Sequence, residues 1–260
     1  MIPVKVLAVR YLANASEDLC RGLGVPKGYT ALGLITTDCD DATYIALDAA
    51  TKAAEVEVAY SRSFYAGAAN ASTPHAGEVI GILAGLTPGD VRSGMEAALS
   101  SLEGLGFEEE KGVPYLARTV SSVGSFLAGE AGVMKGEALA YLIAPPLEGM
   151  YALDAALKAS NTQLRKLYAP PSETNFGGGL LSGTQSACEA ACSAFSAAII
   201  FSSASRAARM SSAVMVIRSS LERSPPCASR FAWATSSRSN TLRTPRALPK
   251  AIELVFAAVM

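Results

Sequence analysis

The side chains best suited to bind a ligand are acidic, and two of them are adjacent. Asp40 and Asp41 lie in the segment DCDDATY, and Glu78 precedes an apolar run in AGEVIG. Carboxylates accept charge-assisted hydrogen bonds from cationic groups, so these residues are candidates for a cation site. On the residues alone, ordinary structural roles are favoured. One aspartate could cap the following helix, and Glu78 could be an exposed charge at the start of a strand.

A second candidate segment, later in the chain, combines polar residues with glycines. Thr174, Asn175 and Phe176 immediately precede Gly177–Gly179. Threonine and asparagine side chains can hydrogen-bond a ligand, although asparagine beside glycine is also typical of a plain turn. The glycines lack the lysine and the spacing of a Walker motif, so phosphate binding is not predicted. The wide φ range of glycine instead favours a loop that changes conformation.

Catalytic and metal-ligating residues are scarce. The chain contains one histidine, His75, and five cysteines without a repeated metal-ligand spacing. This count excludes histidine clusters and gives no zinc signature. General acid–base catalysis favours a group that titrates near neutral pH, and His75 alone is a weak basis for it. We therefore predict no catalytic residue, no metal site and no cofactor.

The composition describes an apolar chain with few charges. Of 260 residues, 50% are hydrophobic and 17% are charged, with a formal net charge of −1. A disordered chain is far more polar. The longest run without a charge, residues 190–205, is 16 residues long, whereas a membrane-spanning helix needs roughly 20 apolar residues. No basic and apolar leader opens the chain. We expect neither membrane insertion nor secretion.

The composition changes sharply near residue 200. Residues 1–200 hold all 22 glycines and have a net charge of −8, whereas residues 201–260 hold 12 serines and 8 arginines and have a net charge of +7. Three interpretations of the tail remain open: a flexible basic segment, a small extra element, or an out-of-frame extension. Its arginines are dispersed and few aromatic residues, Trp233 among them, lie near them, so no nucleic-acid partner is predicted.

The first 200 residues contain an internal repeat. ALDAATKAA at 46–54 recurs as ALDAALKAS at 152–160, and SGMEAAL at 93–99 matches SACEAAC at 186–192. Two matches in the same order predict a tandem duplication of a domain of about 100 residues. We place the first domain at 1–106, the second at 107–200 and the atypical tail at 201–260. Two similar domains in one chain suit a three-fold ring with a pseudo-six-fold outline.

The hydrophobic periodicity predicts alternating strands and helices, and therefore an α+β fold. Asp40 or Asp41 is expected to cap the first repeated helix, and Pro88 to open the next one. The predicted strands are 4–9, 31–35, 56–60, 79–83, 115–120, 139–144 and 163–168. The other predicted helices are 16–23, 146–159 and 182–199.

Several long motifs resemble one protein family. Residues 32–72, 76–85, 140–158 and 170–192 are similar to the L-type shell proteins of ethanolamine-utilisation microcompartments, the EutL family. The likeness extends from residue 1 to about 198. It implies two tandem, circularly permuted BMC domains of ferredoxin-like type, assembled as a pseudohexameric trimer. It also implies a structural role in the shell of a bacterial microcompartment in the cytoplasm, with other shell proteins as partners.

The resemblance also implies a gated central pore and smaller pores that bind ethanolamine. Residues that match the family's ligand-binding motifs are Asp40, Asp41, Glu78, Phe107, Thr174, Asn175 and Phe176. Glycines 177–179 are then expected in or beside the gating loop, within residues 176–181. Two alternatives without a shell role remain: a soluble module that binds a small amine, and an enzyme that uses clustered carboxylates.

Overall fold

A computed structural model describes residues 1–64, 78–170, 174 and 176–202 of the chain. His75, Asn175 and the Ser/Arg-rich tail from residue 203 onward lie outside these residues. The predictions made for them therefore stay predictions.

The first half of the described chain contains five strands and three helices. In chain order these are β1 (Ile2–Pro3), β2 (Val6–Leu12), α1 (Glu17–Leu23), β3 (Ala31–Thr37), α2 (Asp40–Ala53), β4 (Val56–Phe64), β5 (Glu78–Gly85) and α3 (Pro88–Glu103). The strand predicted at 4–9 corresponds to β2, which begins two residues later, at Val6, and ends at Leu12; β1 is a separate strand before the predicted range. The Lys5 backbone N–H donates to Asp38 Oδ1 at 2.7 Å, outside the ladder.

The second half repeats this order after an added hairpin strand. Its elements are β6 (Gly106–Glu110), β7 (Val113–Val120), α4 (Ser125–Ala131), β8 (Ala138–Ala144), α5 (Pro146–Ala159), β9 (Gln163–Tyr168) and β10 (Gly177–Gly183), followed by α6 at residues 185–202. The helix predicted at 146–159 and the strand predicted at 163–168 match the observed bounds.

The two halves form sheets with the same strand order. The first sheet runs β2-β3-β5-β4, and the second runs β7-β8-β10-β9 and is extended at its β7 edge by β6 and β1. All neighbouring strands are antiparallel. The α+β fold and its tandem repeat are therefore present. Because β1 pairs with β6, residues 2–3 join the second sheet, and the domain boundary at 106 stays a prediction.

Side-chain caps start α1 and α3, whereas α2, α4 and α5 have none. The Ser16 hydroxyl accepts a hydrogen bond from the Leu19 N–H at the start of α1, and Thr87 does the same for Asp90 before α3. The predicted cap of α2 is wrong, because its N-cap residue is Cys39 and no side chain caps it. Asp40 and Asp41 are its first two helical residues, and both side chains are buried.

Small residues let the helices lie close to the sheets. Ala42, Ala46 and Ala50 follow one face of α2 and are fully buried, which allows α2 to pack beside α3. The largest apolar cluster contains residues from both halves, including Leu47 and Tyr141. The two halves therefore share one core.

A buried carboxylate joins the halves. Asp48 of α2 is fully buried. Its Oδ2 accepts the Gly124 N–H at 2.7 Å, and its Oδ1 accepts the Leu127 N–H at 2.9 Å. Both donors belong to the first turn of α4, whose N-cap residue Gly124 has no side chain. Lys52 adds an ion pair to Asp48 and donates to the Ser122 carbonyl at 2.9 Å.

The predicted glycine loop is a strand. Gly177–Gly183 forms β10, which pairs with β8 on one side and β9 on the other. Residues 177–181 are therefore not themselves a loop, while their predicted position in or beside the gating loop of the pore stays a prediction. The predicted helix start at 182 is wrong, because β10 continues to Gly183. The glycines instead allow the backbones of the neighbouring strands to approach closely. A Cβ at Gly178, where φ is +156°, would lie 1.9 Å from the Leu142 carbonyl oxygen.

Gly178→Ala is expected to lower the free energy of unfolding by about 3 kcal/mol, because the new methyl group overlaps backbone atoms that cannot move aside easily. Urea unfolding followed by circular dichroism at fixed protein concentration measures this change. Gly129→Ala is the matched control, since a Cβ there meets no atom within 4 Å and alanine favours the helix. Equal midpoints for the two variants would contradict the close-approach argument.

Asp48→Ala is expected to cost about 3 kcal/mol of unfolding free energy, because it leaves two buried N–H groups and a lysine without their acceptor. The same unfolding assay applies. Asp18→Ala is the control, since the Asp18–Arg21 pair is exposed on both sides and such pairs contribute under about 1 kcal/mol. A loss for Asp48→Ala no larger than for Asp18→Ala would show that the junction is held by apolar contacts alone.

Candidate functional site

A cavity of about 460 Å³ lies between the two halves. The first half contributes the start of α2 and the strand β4, and the second half contributes α4, β8, β9 and the segment before β10. The lining residues are Asp40, Asp41, Tyr44, residues 58–63, Phe126, Leu127, Glu130, Tyr141, Ile143, Lys166, Tyr168, Thr174 and Phe176.

Asp40 lies at the start of α2 with its carboxylate almost fully buried. Its Oδ1 accepts the backbone N–H of Asp41 at 2.9 Å. Burial raises the pKa of this carboxyl group to about 6, and hydrogen bonds from Ser63 and the Asp41 backbone oppose the shift. Asp40 therefore titrates within the range that a cell experiences.

Asp41 is the second acidic group of the cavity. The phenol of Tyr141 donates a hydrogen bond to its Oδ1 at 2.8 Å, across the two halves. Burial raises the pKa of Asp41, the adjacent negative charge of Asp40 raises it further, and the Tyr141 hydrogen bond opposes both effects. Two buried carboxyl groups side by side hold a proton tightly unless a cation enters.

Aromatic residues enclose the acidic pair. The Tyr44 hydroxyl and the Ser63 hydroxyl are 2.6 Å apart, and the Tyr44 ring lies 6.0 Å from Phe126. Tyr141 stacks on Tyr168 with ring centroids 6.3 Å apart. Burial raises the pKa of all three tyrosines. They remain neutral phenols, which can donate hydrogen bonds but not act as bases near neutral pH.

An ion pair lies at the more exposed part of the cavity wall. Lys166 Nζ contacts Glu130, and both side chains are partly exposed. The same ammonium group lies 5.3 Å from the centroid of the Tyr168 ring, within range of a cation–π contact. Glu130 neutralises Lys166, and Arg62 of β4 adds a further positive charge to the lining, so the two aspartates are the remaining acidic groups of the cavity.

The cavity brings together four of the seven sequence-predicted ligand residues: Asp40, Asp41, Thr174 and Phe176. Phe107 does not line it. That ring is fully buried and meets Phe176 edge-on at 5.7 Å, so it supports the wall from behind. Glu78 is the first residue of β5, pairs with Phe64 and is only half-buried. Its neighbour Val79 pairs with Thr37, which places Glu78 at the sheet end where α2 begins.

Sequence reasoning missed the aromatic wall. Tyr44 lies four residues after Asp40 on the same helix, and this i, i+4 spacing was a usable signal. Tyr141 and Tyr168 come from β8 and β9, more than 90 residues away. Nothing in the local sequence linked them to the acidic pair.

The arrangement suits a small cation rather than a reaction. Carboxylates and phenols can surround an ammonium group and a hydroxyl. Among the residues that the structure describes, no cluster of three or more His, Cys, Asp or Glu could hold a metal ion. No helix within the same described ranges is long and apolar enough to cross a membrane.

Comparison with known proteins decides the family. The BMC domain model matches residues 31–111. The chain is 56% identical over 203 residues to the bacterial microcompartment shell protein EutL of Clostridium perfringens, covering 76% of this chain and 94% of the relative. It is 46% identical to EutL of Escherichia coli over 204 residues, which cover 77% of this chain and 93% of that relative. The chain belongs to the EutL family of bacterial microcompartment shell proteins.

A solved EutL structure agrees with the fold. The crystal structure of the ethanolamine utilization protein EutL from Leptotrichia buccalis superimposes with a TM-score of 0.73 at 54% identity, covering 77% of this chain and 94% of that one. The resemblance read from the motifs is therefore confirmed, as is the BMC-type α+β fold. EutL relatives are named as shell proteins, so the prediction of a structural protein rather than an enzyme is confirmed too.

Burial of Asp40 predicts a pH-dependent stability. Because the folded chain holds the Asp40 proton more tightly than the unfolded chain, the free energy of unfolding decreases as pH rises from about 4 to 6. In the Asp40→Asn variant the amide does not titrate, so this decrease in the free energy of unfolding does not occur. Relative to wild type, the variant is expected to gain about 3 kcal/mol between pH 4 and pH 8, the equivalent of roughly two pKa units.

Urea unfolding in amine-free phosphate and acetate buffers measures this gain. Asp18→Asn, which removes an exposed carboxylate paired with the exposed Arg21, controls for the loss of one negative charge. A pH-independent difference between Asp40→Asn and wild type would contradict the assignment of the titration to Asp40.

Proposed function

We propose that this EutL-family chain forms trimers that tile the shell of an ethanolamine-utilisation microcompartment in the cytoplasm. The trimers would pack against other shell proteins. Each chain would bind one ethanolamine molecule in the cavity between its halves. The observation that carries the ligand proposal is the buried pair of Asp40 and Asp41, enclosed by neutral phenols.

Ethanolamine fits the chemistry of this cavity. Its ammonium group supplies three N–H donors and one positive charge, which would favour the ionised form of both aspartates. Its hydroxyl can donate to a carboxylate or accept from a phenol. The Thr174 side chain also lies in the lining and can accept or donate.

Ligand size limits the affinity. Ethanolamine has four non-hydrogen atoms, and the best small ligands gain about −1.5 kcal/mol per atom, or about −6 kcal/mol in total. This corresponds to a dissociation constant of some tens of micromolar. Such a site suits a sensor of metabolite concentration better than a store. We propose that ethanolamine favours the closed state of a central pore, where tenfold discrimination shifts the balance by about 1.4 kcal/mol per site.

Asp41→Ala is expected to abolish detectable ethanolamine binding, because it removes one of the two buried charges of the cavity. Isothermal titration calorimetry at pH 8 measures the affinity, and sedimentation checks that assembly is unchanged. Glu103→Ala, an exposed residue at the end of α3, is the matched control and should bind like wild type. Wild-type affinity in Asp41→Ala would refute the acidic pair as the cation site.

Glu78→Ala tests the remaining acidic candidate. The strand register supports a position at the α2 end of the sheet, so we expect the variant to lose ethanolamine binding as well. The same titration applies, and the Glu103→Ala control is shared. If only Asp41→Ala loses binding, the site is confined to the cavity lining and excludes Glu78.

Assembly separates the shell proposal from a soluble amine-binding module. Purified protein, or protein overproduced in cells, should form sheets or tubes visible by electron microscopy. A chain that binds ethanolamine but stays dispersed at millimolar concentration would favour the binding module.

A further inference from the structure

We infer that a buried pair of threonine hydroxyls, those of Thr37 and Thr43, positions the acidic residues of the cavity for their ligand. Thr37 is the last residue of β3, and Thr43 lies in the first turn of α2. The inference rests on the function proposed above, because it names the residues that keep Asp40 and Asp41 available to a cation. The two threonines are positioning residues, and neither lines the cavity.

The start of a helix competes for any carboxylate that lies near it. The first N–H groups of a helix have no acceptor within the helix, and a neighbouring aspartate ordinarily accepts one of them. The positive end of the helix dipole favours the same arrangement. Asp40 and Asp41 are the first two residues of α2. A carboxylate held by its own helix start would offer fewer lone pairs to a ligand.

The two threonines bind the backbone of the N-cap residue, Cys39, in place of a carboxylate. The Thr37 hydroxyl accepts the Cys39 N–H at 3.2 Å. The Cys39 carbonyl oxygen lies 3.0 Å from the Thr37 hydroxyl oxygen and 2.8 Å from that of Thr43, and the two hydroxyl oxygens are 2.7 Å apart. Two hydroxyl protons serve these three contacts, so one threonine donates to the carbonyl and the other to its partner hydroxyl. All three residues are 0% exposed.

The acidic side chains are thereby left to the cavity. Asp41 Oδ1 accepts the phenol of Tyr141 from the other half, and among the described residues no N–H of α2 binds the Asp41 carboxylate. Asp40 keeps one local bond, from the Asp41 N–H to its Oδ1 at 2.9 Å. Both carboxyl groups line the cavity. The acidic pair therefore faces a ligand while the hydroxyl pair holds the turn behind it.

The second half of the chain starts the equivalent helix without hydroxyl groups. The repeats are offset by 106 residues, which aligns Thr37 with Ile143. The same offset aligns Thr43 with Gly149. Helix α5 has Pro145 as its N-cap residue, and no side chain caps it. Proline has no N–H that needs an acceptor, and its φ value suits a helix start. The fold itself therefore does not require the hydroxyl pair.

The acidic pair is missing from the second half as well. The residues that align with Asp40 and Asp41 are Pro146 and Leu147. Hydroxyls and carboxylates thus occur together at the start of α2, and both are replaced at the start of α5. This association supports a role in positioning the carboxylates over a general requirement of the strand-to-helix turn.

Removal of the Thr37 hydroxyl leaves the Cys39 N–H without its acceptor. An unpaired buried N–H is costly, so another acceptor is drawn to it. The Asp38 carboxylate already accepts the Lys5 N–H, which leaves the carboxylates of Asp40 and Asp41 as the acidic acceptors next along the chain. We expect one of them to turn toward the helix start and to withdraw from the cavity.

Thr37→Val tests the inference on the full chain, because valine has the branched shape of threonine without the hydroxyl. Isothermal titration calorimetry with ethanolamine at pH 8 is expected to show a dissociation constant raised about tenfold, which corresponds to about 1.4 kcal/mol. Thr37→Ser keeps the hydroxyl and should bind like wild type. Thr43→Val should change the affinity in the same direction as Thr37→Val, and it carries the test if Thr37→Val does not fold.

Thr87→Val is the matched control, because it removes a helix-start hydroxyl far from the acidic pair in the chain. The Thr87 hydroxyl accepts the Asp90 N–H at 3.2 Å at the start of α3, and α3 does not line the cavity. Urea unfolding should show a loss of stability in this control, whereas its ethanolamine affinity should equal that of wild type. An equal loss of affinity in Thr87→Val and Thr37→Val would overturn the inference, as would wild-type affinity in both Thr37→Val and Thr43→Val.

A measurement without ligand separates this inference from the proposed ligand. Burial raises the pKa of both carboxyl groups. An aspartate that turns to the helix start gains an N–H bond to its ionised form, which lowers its pKa. The free energy of unfolding of Thr37→Val should therefore decrease less than that of wild type as pH rises from about 4 to 7. The other charged or titratable groups of the cavity, which the substitution leaves unchanged, are Tyr44, Arg62, Glu130, Tyr141, Lys166 and Tyr168.

The two measurements fail in different ways. Wild-type protein that binds no ethanolamine would refute the proposed ligand, and the pH profile would then decide the positioning inference alone. A difference in unfolding free energy between Thr37→Val and wild type that does not change with pH would overturn the inference, because it would show that the hydroxyl contributes stability without directing the carboxylates.

Discussion

The burial of one carboxylate, Asp48, holds the two halves of this protein in register. Its oxygens accept N–H groups from the first turn of α4, where Gly124 leaves room for the approach and has no side chain to cap the helix itself. The cost of removing a charge from water is offset by two charge-assisted hydrogen bonds and by Lys52. The cavity is lined from both halves, so its shape follows from this junction.

The cavity combines two features that oppose each other. It holds two buried carboxyl groups that would be more stable as ions in water, and aromatic rings lie beside them in a lining that also contains Arg62 and Lys166. Burial raises the pKa of both carboxyl groups, so the empty site favours a proton. Under the proposed function, a small cation would replace that proton, and ligand affinity would then depend on proton concentration.

Sequence reasoning succeeded where local rules and the repeat controlled the outcome. The presence of α1, the proline at the start of α3 and the bounds of α5 and β9 followed from capping and periodicity. It failed where distant contacts overruled local preference. Gly177–Gly179 reads as a loop, yet the close approach of β8 makes it a central strand. Asp40 and Asp41 read as helix caps, yet Thr37 and Thr43 hydroxyls bind the Cys39 backbone there and the aspartates turn inward.

The repeat is imperfect at the positions that matter most for the ligand. Where α2 begins with Asp40 and Asp41, α5 begins with Pro146 and Leu147. Proline and leucine offer no charge to a cation, so the start of α5 cannot provide a second acidic pair. In the proposed trimer, the ligand sites would therefore lie between the two halves of each chain. The stoichiometry at saturation would then be one cation per chain, and the true symmetry of the ring three-fold rather than six-fold.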